Sequence, residues 1–170
     1  MHATEQRNTS LSSIPQTFDL FGVLIDFLVT PDETGHKISL FKGIIRSGVV
    51  VPLHSHPDPE VFYILEGALD VYQDSGPSKG WSTTQGGGAV AIAGDVKHAL
   101  RNTSSTPVTA ILATQEELYN FFRNLAKPFE PEQIPVPPSP EEMQRLFAAA
   151  AECHYWMGSP EENAAIGISL

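Results

Sequence analysis

The chain has one cysteine, Cys153, in 170 residues, so no disulfide can form within it and nothing requires an oxidising compartment. Basic residues are scarce: ten Lys and Arg against twenty Asp and Glu give a formal charge of −10. A field of that sign repels phosphate backbones and argues against a nucleic-acid partner. Long apolar runs are also missing. The nearest approach, "LFGVLIDFLV" at 20–29, is interrupted by Asp26 and bounded by Thr30-Pro31, far short of the roughly 20 residues that span a bilayer. The opening "MHATEQRNTSLSS" lacks the basic start and apolar stretch of a secretory leader. The expectation is a soluble cytoplasmic protein without membrane or nucleic-acid partners.

What is present is turn-rich. Fourteen prolines and thirteen glycines accompany an ordinary apolar fraction of 41%, a balance that suits short strands better than a helical bundle. Between residues 20 and 113, short runs rich in Val, Ile, Phe, Tyr and Thr ("HKISLFKGIIR", "EVFYILEGALDVY", "AVAIAGDV", "TPVTAILAT") alternate with breaks such as "PLHSHPDP" and "TQGGG". That spacing predicts an all-β sandwich or barrel. The expected organisation is an N-terminal arm at 1–17, a barrel at 18–113, and C-terminal helices with a tail at 114–170.

In the last third, Thr114 followed by Glu117 predicts a capped helix over "LYNFFRNLAK", and Ser139-Pro140 with Glu142 predicts a second. Met143, Leu146, Phe147, Ala150 and Ala151 recur at helical spacing and give that second helix one apolar face. A proline-rich connector, "KPFEPEQIPVPPSP", joins the two. The cluster "CHYWMG" at 153–158 holds chemically capable side chains, but its place at a helix end points to packing or capping.

The stretch 47–69, "SGVVVPLHSHPDPEVFYILEGAL", carries the chemistry. Alternate residues on a strand share a face, so His54 and His56 point the same way. The Pro57-Asp58-Pro59 break then turns the chain, and Glu60 leads the next strand with Phe62 and Ile64 on its face. Two imidazoles and a carboxylate suit a first-row transition metal better than calcium or magnesium. A further ligand has to come from another strand, and His98 in "AIAGDVKHALRN" is the candidate; His36 lies at a turn without a suitably spaced acid.

Gly48-x5-His54-x-His56-x3-Glu60-x6-Gly67 resembles the first motif of the cupin superfamily at every defined position. Gly87, His98 and Asn102 resemble the second, which departs at Ala93, where the family has proline, and at Asp95, where it has glycine; Gly94 sits one residue early. The likeness covers roughly residues 36–113. It implies a double-stranded β-helix, or jelly-roll barrel, of the small single-domain type, with a divalent first-row ion (Fe, Mn, Ni, Zn or Cu) held by His54, His56, Glu60 and His98. The barrel would carry the C-terminal helices as an extension.

Three functions remain open on this reading. The first is a dioxygenase, similar to quercetin dioxygenase, acting on an enolic or aromatic small molecule, with Glu60 as catalytic base. The second is a non-redox isomerase, epimerase or lyase on a sugar or keto acid. The third is a small-molecule-binding module without turnover. Phe62, Ile64 and Trp81 are expected to line the pocket, Tyr63 to face the opposite side and Lys42 to point outward. Small cupins often pair, so a homodimer is expected, with the N-terminal arm, the "LFGVLIDFLV" strand and the apolar helix face as available surface.

Overall fold

The computed structural model describes residues 16–132 and 138–169. Most of the expected arm and the centre of the proline-rich connector lie outside the described residues. Among the described residues, twelve strands and three α-helices follow in order: β1 (Thr17–Leu20), β2 (Val23–Val29), β3 (Ser39–Ile45), β4 (Val50–Ser55), β5 (Glu60–Glu66), β6 (Ala68–Gln73), β7 (Gly80–Gln85), β8 (Ala89–Ile92), β9 (His98–Arg101), β10 (Val108–Thr114), α1 (Glu116–Leu125), β11 (Lys127–Pro128), α2 (Pro140–Glu152), β12 (Trp156–Met157) and α3 (Pro160–Ala165).

The strands form two antiparallel sheets, one ordered β11-β1-β2-β3-β10-β5-β8 and the other β12-β4-β9-β6-β7. Period-two alternation decides which side chains enter the space between them. Along β5, Glu60, Phe62 and Ile64 turn inward while Val61, Tyr63 and Leu65 remain exposed. The register aligns Phe41, Leu112, Phe62 and Val90 in one row across β3, β10, β5 and β8. All four are buried, and each contributes about 1.5–3 kcal/mol of apolar burial. Lys42 is directed away from this core, its Nζ 3.7 Å from Asp26 Oδ2 on the neighbouring strand.

Helix α1 packs its aromatic face onto the larger sheet. Tyr119 and Phe122 lie against Phe41 with ring centroids 5.7 and 5.5 Å apart, and Tyr119 also meets Phe27 at 5.4 Å. Its start differs from the sequence expectation. Thr114 is the last residue of β10 and its hydroxyl donates to the Pro59 carbonyl, so it is spent on a strand contact and cannot cap. The helix begins after Gln115, and Asp58 Oδ2 accepts from the Leu118 amide at 2.8 Å. A carboxylate from the "HPDPE" loop thus satisfies a first-turn donor and complements the helix dipole.

Ser139 and Glu142 form the expected capping box at α2. The tail beyond it is more ordered than its lack of periodicity suggests. β12 adds to the edge of β4, with Trp156 opposite Ser55 and Met157 opposite His54. A further capping box of Ser159 and Glu162 starts α3. Asn163 holds this tail down: its Oδ1 accepts from the Leu53 amide at 2.9 Å, and its Nδ2 donates to the Gly158 and Ser159 carbonyls.

Candidate metal centre

β4 of the smaller sheet leads through the turn Pro57-Asp58-Pro59 into β5 of the larger one, and β9 pairs alongside β4. His54 pairs directly with His98 across β4 and β9, and His56 follows two residues on. The three imidazoles each offer a nitrogen, and those nitrogens lie within 4.8 Å of one another. Ring centroids are 4.2 Å apart for His54 and His98, 5.0 Å for His56 and His98, and 5.5 Å for His54 and His56. Glu60 adjoins the group from the other sheet. Its Oε2 is 3.0 Å from His98 Nε2 and 3.8 Å from His56 Nε2.

The backbone sets the tautomer of every ring. His54 Nδ1 faces the Pro52 carbonyl at 2.7 Å, His56 Nδ1 the Asp58 carbonyl at 2.8 Å, and His98 Nδ1 the Val96 carbonyl at 2.8 Å. A carbonyl only accepts, so each Nδ1 carries the hydrogen and, in the neutral rings, each Nε2 presents a lone pair. Backbone fixation of the distal nitrogen is how metal-binding histidines are oriented. His56 Nε2, His98 Nε2 and Glu60 Oε2 are buried and lack a well-formed hydrogen bond. The 3.0 Å approach of His98 and Glu60 therefore places two acceptors side by side unless a proton or cation lies between them. Converging buried lone pairs fit a divalent first-row ion.

Electrostatics are consistent with that cluster. Desolvation, with the charges of the other two imidazoles, lowers His54 to about 3. Burial also lowers His56, against the opposing pull of Glu60. Burial alone would raise Glu60, but His98 and the other imidazoles outweigh it and hold the carboxyl low. For His98 burial acts downward, and the contact with Glu60 reverses it, giving a net rise.

The surrounding loops account for one departure in the second motif, Asp95, and for the glycine beside it. Asp95 has φ of 64°, the left-handed conformation that Asp tolerates better than most residues. Gly94 is needed for a different reason: a Cβ there would lie 2.0 Å from the Pro57 carbonyl oxygen. The Asp95 amide then donates to the His56 carbonyl at 2.8 Å, tying the two loops together. Asn102, fully buried, closes the far turn through the Ile45 and Thr106 carbonyls and the Ser104 amide.

A cavity of about 170 Å³ opens onto the cluster. His54, His56, Glu60 and Phe62 line it, together with Phe41 and Leu112 from the larger sheet, Leu118 and Phe121 from α1, Leu146 from α2, and Tyr155. Among the described residues no Lys or Arg lines it. Two expected pocket residues stand elsewhere. Ile64 is completely buried in the closed part of the core, two residues further along β5. Trp81 lies on β7, where its indole nitrogen donates to the Ile166 carbonyl at 2.8 Å and its ring stacks under Arg101. The α3 tail covers it, so it packs outside the barrel.

Sequence reasoning assigned the 153–158 cluster, Tyr155 included, to packing or capping. Tyr155 is 7% exposed, its hydroxyl has no hydrogen-bond partner, and its ring lies 5.5 Å from that of His56. Burial, with Cys153 and Asp58 nearby, pushes the phenol up and keeps it protonated. The neighbouring Cys153 thiol is also raised, by burial and by Glu152 and Glu117, and is no activated nucleophile.

The family model for the Cupin_2 cupin domain matches residues 43–114. No curated protein matches the chain. Among solved structures, an RmlC-like cupin from Shewanella frigidimarina is 18% identical, with 68% of this chain and 96% of that one covered at a TM-score of 0.53. A predicted oxalate decarboxylase from Thermotoga maritima is 17% identical over 60% of this chain and 91% of its own, at 0.51. The Cupin_2 domain of an XRE-family transcriptional regulator from Enterobacter cloacae is 29% identical over 55% of this chain and 96% of its own, at 0.46. No described helix is long and apolar enough to cross a membrane. Two facing antiparallel sheets, three histidines gathered at one end and the matched segment identify the barrel of this chain as a cupin domain of the Cupin_2 type.

Proposed function

We propose that this chain is a metal-dependent enzyme, a dioxygenase acting on a small, mainly apolar molecule with an enolic or phenolic oxygen. The observation that carries the reading is the cavity itself: apolar walls end on His54, His56 and Glu60, and no described cationic side chain lines it. Sugar phosphates and keto acids need a Lys or Arg to hold their charge, and a wall of Phe and Leu gives them none. That disfavours the isomerase and lyase alternatives on charged substrates, and a neutral sugar would find few polar side chains on the same wall.

In this proposal His54, His56 and His98 hold the ion through Nε2, with Glu60 as the oxygen ligand. A bound first-row ion supplies Lewis acidity and, where it is redox-active, electron transfer between the organic molecule and dioxygen. Glu60, held ionised by its imidazole neighbours, would take the substrate hydroxyl proton on the carboxylate oxygen that the ion leaves free. The apolar wall keeps bulk water away from the resulting oxyanion. Dioxygen is the oxidant, and both its atoms end in the product.

The test is metal analysis of untagged protein followed by oxygen-electrode assays of the iron, manganese and nickel forms with flavonols and catechols. Oxygen uptake by wild type, lost with the metal in His98→Ala, supports the proposal. No uptake by any form, or turnover without oxygen, overturns it.

A further inference from the structure

We propose that Tyr155 is a substrate-binding residue of this cavity, donating its phenolic hydrogen to an oxygen of a bound molecule whose remaining surface is apolar. The inference rests on the reading above that the cavity receives such a molecule.

The argument begins with hydrogen-bonding capacity. The described polar side chains on the cavity wall are His54, His56, Glu60 and Tyr155. The Nδ1 hydrogens of both histidines are spent on the Pro52 and Asp58 carbonyls, which leaves lone pairs, and ionised Glu60 only accepts. Tyr155 is thus the one side-chain donor with hydrogen to give among these lining residues. An oxygen that carries charge or a carbonyl in this space has no other described side chain to turn to.

The hydroxyl is also held in place without being used. Its ring is clamped between Phe121, 4.9 Å away, and His56, 5.5 Å away. The Tyr155 amide donates to the Ala150 carbonyl at 2.8 Å, where left-handed His154 turns the chain out of α2. The next two residues pair with Ser55 and His54, so the strand that carries the imidazoles also fixes the register of Tyr155. A hydroxyl buried without a partner is unfavourable, and phenylalanine would fill the same volume. Tyr155 belongs to the cavity lining, and an orphaned donor on a lining residue is explained if a bound molecule completes it.

The experiment uses the full chain as purified and two fluorescent probes, 2-naphthol and its hydroxyl-free parent naphthalene, against wild type and Tyr155→Phe. The expected result is 2-naphthol affinity about tenfold weaker in the variant, the value of one hydrogen bond, with naphthalene affinity unchanged. The variant's urea midpoint, equal to or above that of wild type, verifies that the fold is kept. Wild type and variant binding 2-naphthol alike, or losing both probes in parallel, overturns the role of Tyr155 while leaving the cavity reading intact. Wild type binding neither probe overturns both.

Discussion

Asn163→Ala should loosen the candidate centre from a position that touches none of its imidazoles. Asn163 is fully buried and makes three side-chain hydrogen bonds, at 2.9 Å from the Leu53 amide, 3.1 Å to the Gly158 carbonyl and 3.0 Å to that of Ser159. Alanine leaves them unequal. The Ser159 carbonyl still receives the residue-163 amide, so it costs little. The Leu53 amide is buried with no replacement acceptor in place, and such an orphan costs about 1–3 kcal/mol. With the Gly158 contact added, the total is about 2–4 kcal/mol, or a thermal midpoint lower by about 5–15 °C for a domain of this size. Nothing local compensates, because α3 has six residues and cannot hold itself helical without the contact. Differential scanning fluorimetry reads the global term, and hydrogen exchange at the Leu53 and Gly158 amides reads the local one. Faster exchange at both with a lower midpoint is expected. A midpoint within a degree of wild type, with both amides still protected, would refute the assignment of Asn163 as the anchor of β12.

The remaining predictions concern the metal loop and acid. Gly94→Ala places a methyl 2.0 Å from the Pro57 oxygen, and with backbone on both sides the strain should reach about 3 kcal/mol; calorimetry should find the loss, and metal analysis reduced occupancy, whereas unchanged values of both contradict the close approach. In metal-free protein, stability should fall as pH drops below 6.5. Folded His54 stays neutral down to about 3 while the unfolded chain takes up that proton near 6.5. The unfolded state therefore binds more protons in that window, at up to about 1.4 kcal/mol per pH unit for this residue. Lowered His56 and Glu60 act in the same direction, whereas raised His98 contributes stability below 6.5 that is lost as pH climbs through its folded value. Urea midpoints that stay flat or rise on acidification to pH 4.5 would contradict the neutral imidazole.

The barrel and the gathering of its histidines were legible because both are written in local spacing. Period two puts His54 and His56 on one face, and a Pro-Asp-Pro turn returns Glu60 to the same end. His98 needed one long-range step, its pairing with His54, which the second motif supplied. Trp81 and Ile64 went astray for a related reason. Parity tells which face a residue takes but not how far along the strand the cavity runs, and it cannot foresee the α3 tail that covers Trp81. Tyr155 was illegible because its place depends on β12 docking onto β4, fixed by an amide–side-chain contact between Leu53 and Asn163, 110 residues apart. No periodicity encodes such a contact.

This division bears on specificity. The segment that matches the cupin family, 43–114, supplies the imidazoles, Glu60 and one wall. Leu20 and Phe21 come from the hairpin before it, and Leu118, Phe121, Leu146 and Tyr155 from the helices and tail after it. On the proposed function, metal affinity and ligand choice would be carried by different stretches of chain. The family likeness accordingly reaches as far as the candidate metal centre, and on the proposed function the choice of substrate would lie with the residues that close the cavity over it.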